Sequence, residues 1–309
     1  MANPTKARGE SYDAAVRSNR HASEPNKTVR VVASSTLAHV SPRGRSSARL
    51  TVNGKRFLAI SVDDGHPTDL RTAELLRRYG LKATFYVPAT NPERPLLSQT
   101  ELRAIGSDFE IGAHTFGHRP LANLPDADAS REIVEGKDWL ENQLGNDVRS
   151  FCYPRGKFNS RTPELVRQAG LLGARTCMFN LSDLPVNPYV AGVSTHASSH
   201  PRHVQLRHAL LERNFEGARN FITIHRLARD WGRHFVAALD WVDRHGGVAH
   251  LYLHSWEIDQ HAEWDKLDAV LRSAASYDRL TRVTNGELFR IAHTEAQRAS
   301  ASSRPPPDA

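Results

Sequence analysis

Two cysteines in 309 residues, Cys152 and Cys177, are too few for a disulfide-held scaffold, and their spacing alone implies no bridge. Free thiols are expected. Long apolar runs are missing too: the cleanest, FLAISV at 57–62 and LYL at 251–253, fall far short of the ~18 residues a membrane helix needs. No membrane span is expected. The opening MANPTKARGESYDAAVRSNR lacks the apolar core of a secretory signal, so the expected location is cytoplasmic. No glycine-rich dinucleotide fingerprint follows any apparent strand.

Positive charge is present but unevenly placed. Residues 1–47 hold eight Lys or Arg against three Asp or Glu, which is five of the seven net positive charges, so the other 262 residues carry about two. A nucleic-acid-binding body is therefore not indicated. The same 47 residues are rich in Ser, Asn, Arg and Ala without sustained apolar periodicity, and are expected to be a disordered basic arm. The tail from 295 to 309, with its PPP and Ser/Ala runs, is expected to be disordered as well.

Between residues 48 and 294 short apolar runs alternate with amphipathic segments. RFLAISV (56–62) reads as a buried strand, TDLRTAELLRRYG as a helix stopped by Gly80, and SQTELRAIG as a helix capped by Ser98 with Glu101 three positions on. Further strands are expected at 81–89, 108–114, 148–154, 171–176, 220–225, 248–254 and 280–283, separated by helices. Roughly seven βα units with no dinucleotide fingerprint predict an α/β fold, a closed or nearly closed (β/α) barrel whose function sits in the loops after strand ends.

Those loops hold the unusual residues. Asp63 and Asp64 stand side by side before Gly65, an arrangement that costs repulsion unless a cation or a shared proton compensates. His114 and His118 are four apart, a spacing that puts both rings on one side of a helical turn and, with one carboxylate, makes the ligand set of a hydrolytic metal site. Tyr153-Pro154-Arg155-Gly156 ends a strand in a sharp loop able to present backbone N–H groups. His254 ends an apolar strand, with Trp256 two residues on, either as a stacking face for a sugar or packed on the rim. His66, His196 and His200 are second-rank candidates; the remaining histidines receive structural readings.

The ordered set Asp63-Asp64-Gly65, His114-Thr-Phe-Gly-His118, Tyr153-Pro154-Arg155-Gly156 and Leu253-His254 resembles the polysaccharide deacetylases, the NodB-type carbohydrate esterase family 4, over about 57–292. The resemblance implies a distorted (β/α) barrel of about seven strands, one divalent metal ion, and hydrolysis of N-acetyl groups on an amino-sugar poly- or oligosaccharide. By position Asp63 is implied as general base, Asp64, His114 and His118 as metal ligands and His254 as general acid. Tyr153, Arg155, Gly156 and Trp256 are implied as substrate-binding. Zinc fits the two-His, one-carboxylate set, and cobalt, nickel or iron would suit it too.

Two departures stand out. Cys152 occupies a position where many members have Arg, and Arg155 one where they have Tyr. No motif that orients the base is recognisable between 175 and 200, and the HSWEID ending at 254–259 is similar to a less characterised branch of the family. Two other readings follow: a catalytically quiet carbohydrate-binding barrel, or a metal hydrolase of another C–N bond such as a formamide or cyclic amide.

Overall fold

A computed structural model describes residues 54–199 and 201–302; the expected basic arm, His200 and the residues after 302 lie outside the described residues. The elements follow in the order β1 (Arg56–Asp63), α1 (Asp69–Arg78), β2 (Thr84–Val87), α2 (Gln99–Gly106), β3 (Glu110–Ala113), α3 (Asp126–Leu144), β4 (Ser150–Cys152), α4 (Thr162–Gln168) and β5 (Gly173–Arg175). Then come β6 (Thr195–His196), α5 (Arg202–Leu211), α6 (Phe215–Thr223), α7 (Trp231–His245), β7 (Gly247–Leu253), α8 (Ser255–Gln260), α9 (Trp264–Ala275), β8 (Thr281–Val283) and α10 (Asn285–Ser302). No described helix is long and apolar enough to cross a membrane.

All strand pairings are parallel, in the order β5-β4-β3-β2-β1-β7-β6, with β8 added beside β1. Parallel strands covered by helices are buried on both faces, and β1 and β7 accordingly read as near-continuous apolar runs. The sheet curls into the distorted (β/α) barrel. Its distortion begins at β1, one edge of which is shared: β8 takes Phe57–Ala59 and β2 takes Ser61–Asp63. The gap between the outer strands is spanned by 191–196, where Ala191 bridges to Arg175 while Thr195 and His196 pair with β7.

The helices follow their local chemistry. The Ser98 capping box is present, with the Glu101 N–H donating to Ser98 Oγ at 3.3 Å and the Ser98 N–H to Glu101 Oε2 at 2.7 Å. Helix α7 buries Trp231, Phe235, Ala238, Leu239 and Val242, one stripe at helical spacing.

Two expectations are corrected. The run 220–225 is not a strand: Phe215–Thr223 is helix α6, capped by Asn214 accepting from the Gly217 N–H, and it buries Phe221 while Ile222 is exposed. Helix α10 also continues through Ser302, into the stretch expected as tail, with its inner face buried at Leu288, Phe289 and Ala292.

Candidate active site

Parallel register brings the strand ends to one level. Val62 is opposite Leu253, so Asp63 and His254 emerge side by side; Ala113 is opposite both Val87 and Phe151, which sets His114 beside the end of β4. Consecutive residues of a strand point to opposite faces, yet both aspartates are buried, at 2% and 4% exposure. The turn at Asp64, with φ of 83°, breaks the alternation. Gly65 follows with φ of 63°, and a side chain there would strike Val87.

The histidines do not share a helical turn, contrary to the expectation from their spacing. The segment is a loop in which Thr115 (φ 64°) and His118 (φ 53°) are both left-handed, and it folds the two rings to 5.1 Å between centroids. Helix α3 anchors it: the Phe116 N–H donates to the Glu132 carbonyl and the Gly117 N–H to Glu132 Oε2, both at 2.8 Å. Gly136 permits the close approach, since a Cβ there would lie 2.5 Å from the Thr115 backbone.

Asp64 Oδ1 lies 3.1 Å from His118 Nε2 and 3.6 Å from His114 Nε2. His114 Nδ1 is 2.8 Å from the Cys152 carbonyl, which can only accept, so Nδ1 carries the proton and a neutral His114 offers its Nε2 lone pair toward Asp64. One carboxylate and two imidazoles with ligand atoms within 4.8 Å fit a divalent cation. Asp63, His114 and Cys152 also converge, but burial pushes the Cys152 thiol well up, which keeps it protonated, and Arg175 occupies Asp63. The Asp64 set is the better cradle. Burial would raise the Asp64 carboxyl; when His114 and His118 instead carry a proton on Nε2, their hydrogen bonds to Asp64 hold it far below the usual range.

Arg175, at the end of β5, is the residue that sequence reasoning did not find. It is fully buried, its Nη2 donates to both oxygens of Asp63, and its guanidinium lies 4.5 Å from the Tyr252 ring centroid. Burial alone would raise the Asp63 carboxyl; the Arg175 charge, with His114 and His254, lowers it instead. An Arg in a strand run reading LLGART is the signal that could have found it, because an unpaired charge is not buried in a barrel.

Glu257 is a second residue missed. It sits between His254 Nδ1 and His196 Nε2, each 3.0 Å from its Oε2, and His196 stacks on Tyr252 at 4.2 Å. Burial would lower the His254 pKa, but the Glu257 hydrogen bond and the charges of Asp64 and Asp63 raise it to about 9. His254 Nε2 lies 4.0 Å from Asp64 Oδ2.

Trp256 donates from Nε1 to Asp64 Oδ2 at 2.9 Å, and the Arg94 guanidinium covers its ring at 3.2 Å, so it is engaged on an edge and on one face. Tyr153 is buried, with its hydroxyl on the Tyr189 carbonyl. In the same loop the N–H groups of Tyr153, Gly156 and Lys157 are taken by Arg175, Tyr153 and Pro154 carbonyls, and Pro154 has none. That leaves the Arg155 N–H as the loop's one donor without an acceptor among the described residues, at a left-handed residue with φ of 55° whose side chain pairs with Glu93. Gly156 (φ 64°) packs against Cys177 too closely for any side chain. His66 is in none of the converging ligand groups among the described residues, and its Nδ1 lies 2.7 Å from Thr68 Oγ1.

Residues 51–174 match the family model described as polysaccharide deacetylase. The chain is similar to a bifunctional xylanase/deacetylase of Pseudobutyrivibrio xylanivorans, 26% identical over 125 residues, which are 40% of this chain and 20% of that protein. It thus spans about a fifth of that relative's length. Similar solved structures include a variant of the peptidoglycan deacetylase PdaC of Bacillus subtilis (16% identity, 81% of this chain and 98% of that one, TM-score 0.47). A family 4 acetyl xylan esterase of Clostridium thermocellum with a cobalt ion is another (18% identity, 76% and 91%, TM-score 0.47). The matched residues contain the paired aspartates, His114, His118 and the Tyr153–Gly156 loop, whereas Arg175, His254 and Glu257 lie beyond them; over residues 51–174 the chain is similar to the polysaccharide deacetylases.

Proposed function

We propose that the chain hydrolyses the N-acetyl group of an amino-sugar poly- or oligosaccharide, with Asp63 as general base and His254 as general acid. The observation that carries this reading is that these two groups emerge from neighbouring strand ends beside Asp64, whose carboxylate gathers His114 and His118. A divalent cation held by Asp64, His114 and His118 supplies positive charge that acidifies water and polarises a carbonyl. Zinc suits this donor set, as do cobalt, nickel and iron.

The chain's own residues divide the remaining work. Asp63, fixed at both oxygens by Arg175, takes a proton from the attacking water. The Arg155 N–H donates to the acetyl oxygen as negative charge gathers there. His254, held in its protonated form by Glu257, gives its proton to the departing nitrogen, which leaves as a neutral amine. Acetate and the free amino sugar are the products.

Acetate release from chitooligosaccharides, peptidoglycan fragments and acetylated amides, and formate release from formylated amides, with and without EDTA, tests the reading. It fails if wild type releases no acetate, or if Asp63→Asn and His114→Ala release it as wild type does.

A further inference from the structure

A groove of about 1170 Å³ runs along α7, between the 223–230 loop and α9, and nothing in the reaction above uses it. Its walls carry Arg226, Arg229, Arg233 and Arg244, joined by Arg202 and Lys266, against only two carboxylates, Asp230 and Asp240. Both are committed: Asp230 caps α7 and pairs with Lys266 at 2.7 Å, and Asp240 accepts from the Tyr277 hydroxyl. Arg226, Arg229 and Arg233 have no ion pair with a described residue. They are gathered within eight residues at the N-terminal end of α7, where the helix dipole already favours negative charge, so the fold concentrates repulsion there. The loop that brings them together holds Arg226 and Leu227 in consecutive left-handed conformations (φ 49° and 57°). Residues 48–309 as a whole carry only about two net positive charges, so this is a local accumulation.

One residue relates the groove to the catalytic cluster. Arg229 lines both the groove and a small cavity of about 10 Å³ whose wall includes His196, and His196 shares Glu257 with His254. The floor is aliphatic, from Ile224, Val236, Ala237 and Val270, beside Trp241 with one face stacked on His245 at 3.9 Å. A single half-covered indole is a poor platform for successive nucleobases, which bind single-strand sites by stacking on aromatic faces. Aliphatic surface under forked arginines suits sugar rings bearing carboxylate or phosphate groups.

We propose that this groove binds the anionic stretch of an acidic glycan whose neighbouring amino sugar lies in the active site. The inference rests on the saccharide reading above and narrows its substrate class to acidic glycans.

The test is direct binding, so that it reads independently of turnover. Calorimetry on the full-length Asp63→Asn protein compares an oligogalacturonate, a chitooligosaccharide of equal length and a single-stranded oligonucleotide of equal charge. The acidic saccharide is expected to bind about tenfold or more tighter than the neutral one, weakening as salt rises. Arg226→Glu/Arg233→Glu is expected to abolish that preference, while Arg131→Glu/Arg167→Glu, the same charge change on α3 and α4, keeps it. Circular dichroism and thermal midpoints establish that both variants fold. Equal binding of the two saccharides, retention of the preference in Arg226→Glu/Arg233→Glu, or tighter binding of the oligonucleotide overturns the proposal. Absence of acetate release from every sugar overturns the saccharide hydrolase reading instead and leaves this binding result standing.

Discussion

Arg175 grips both carboxylate oxygens of Asp63 across 112 residues of sequence, and both side chains are buried. Removing one partner of a buried pair leaves the other charge without compensation, typically at a cost of about 3–5 kcal/mol. Arg175→Met is therefore expected to lower the thermal midpoint and, because Asp63 loses the charge that depresses its pKa, to shift the acidic limb of kcat/KM to higher pH. Arg175→Lys should restore part of the stability but not the two-oxygen grip. A pH–rate profile of Arg175→Met superimposable on wild type would show that Arg175 does not position the base.

Glu257 and His254 form the second coupled pair. In cation-free protein the raised His254 pKa, about 9, contributes stability that is fully present below the unfolded value near 6.5 and is lost as pH rises through 9. Glu257→Gln removes the hydrogen bond and charge that raise it, so the His254 titration midpoint should fall by about one unit or more in an NMR titration of chelated protein. An unmoved midpoint would separate Glu257 from the acid.

Cation binding should be visible without any substrate. A ligand that binds only the folded state stabilises it by mass action, about 2.7 kcal/mol at a hundred times its dissociation constant. Added zinc or cobalt is expected to raise the thermal midpoint of chelated wild type, and His118→Ala or Asp64→Asn to erase the shift. Equal shifts in all three proteins would place the cation elsewhere.

Gly136 offers a test of how the ligand loop is held. In a helix interior Gly→Ala ordinarily stabilises by about 1 kcal/mol. Here the added methyl meets the Thr115 backbone at 2.5 Å, so Gly136→Ala should destabilise the fold and weaken cation affinity together, by pushing His118 away from Asp64. A more stable variant with unchanged affinity would contradict this packing.

His225 sets an acid limit on stability. Burial lowers its pKa to about 4, so between the unfolded value near 6.5 and pH 4 the unfolded chain binds a proton that the folded one does not. Stability should fall with pH across that window, by about 1.4 kcal/mol per unit from this group. Denaturant melts of wild type and His225→Gln from pH 4 to 7 check it: the difference between the two should shrink toward acid pH.

Much of this was legible in the sequence because it is local. Strand-end residues such as Asp63, His114 and His254 announce themselves by interrupting apolar runs, and the Ser98–Glu101 cap is complete within four residues. Arg175 was not legible because its partner, Asp63, is supplied by another strand 112 residues away. Glu257 was hidden by composition, as one carboxylate in a polar HSWEID run gives no hint that it bridges two imidazoles. The His114–His118 spacing named the right pair through the wrong geometry: i, i+4 is a helical signature, whereas two left-handed residues bring these rings together. The strand expected at 220–225 failed because a short apolar run does not distinguish strand from helix end.

The strand that ends at Asp63 draws one edge, from Arg56 to Val62, from β7, late in the barrel sequence. All three side chains proposed as ligands, Asp64, His114 and His118, are synthesised before residue 119, yet the strand leading to Asp64 stays open along that edge until residues 247–253 have emerged. A chain cut anywhere between these points would possess every ligand and lack a closed sheet to hold them, exposing a buried apolar strand to pairing with other chains. The first half of the chain, for all its recognisable motifs, is for that reason a poor choice for expression on its own.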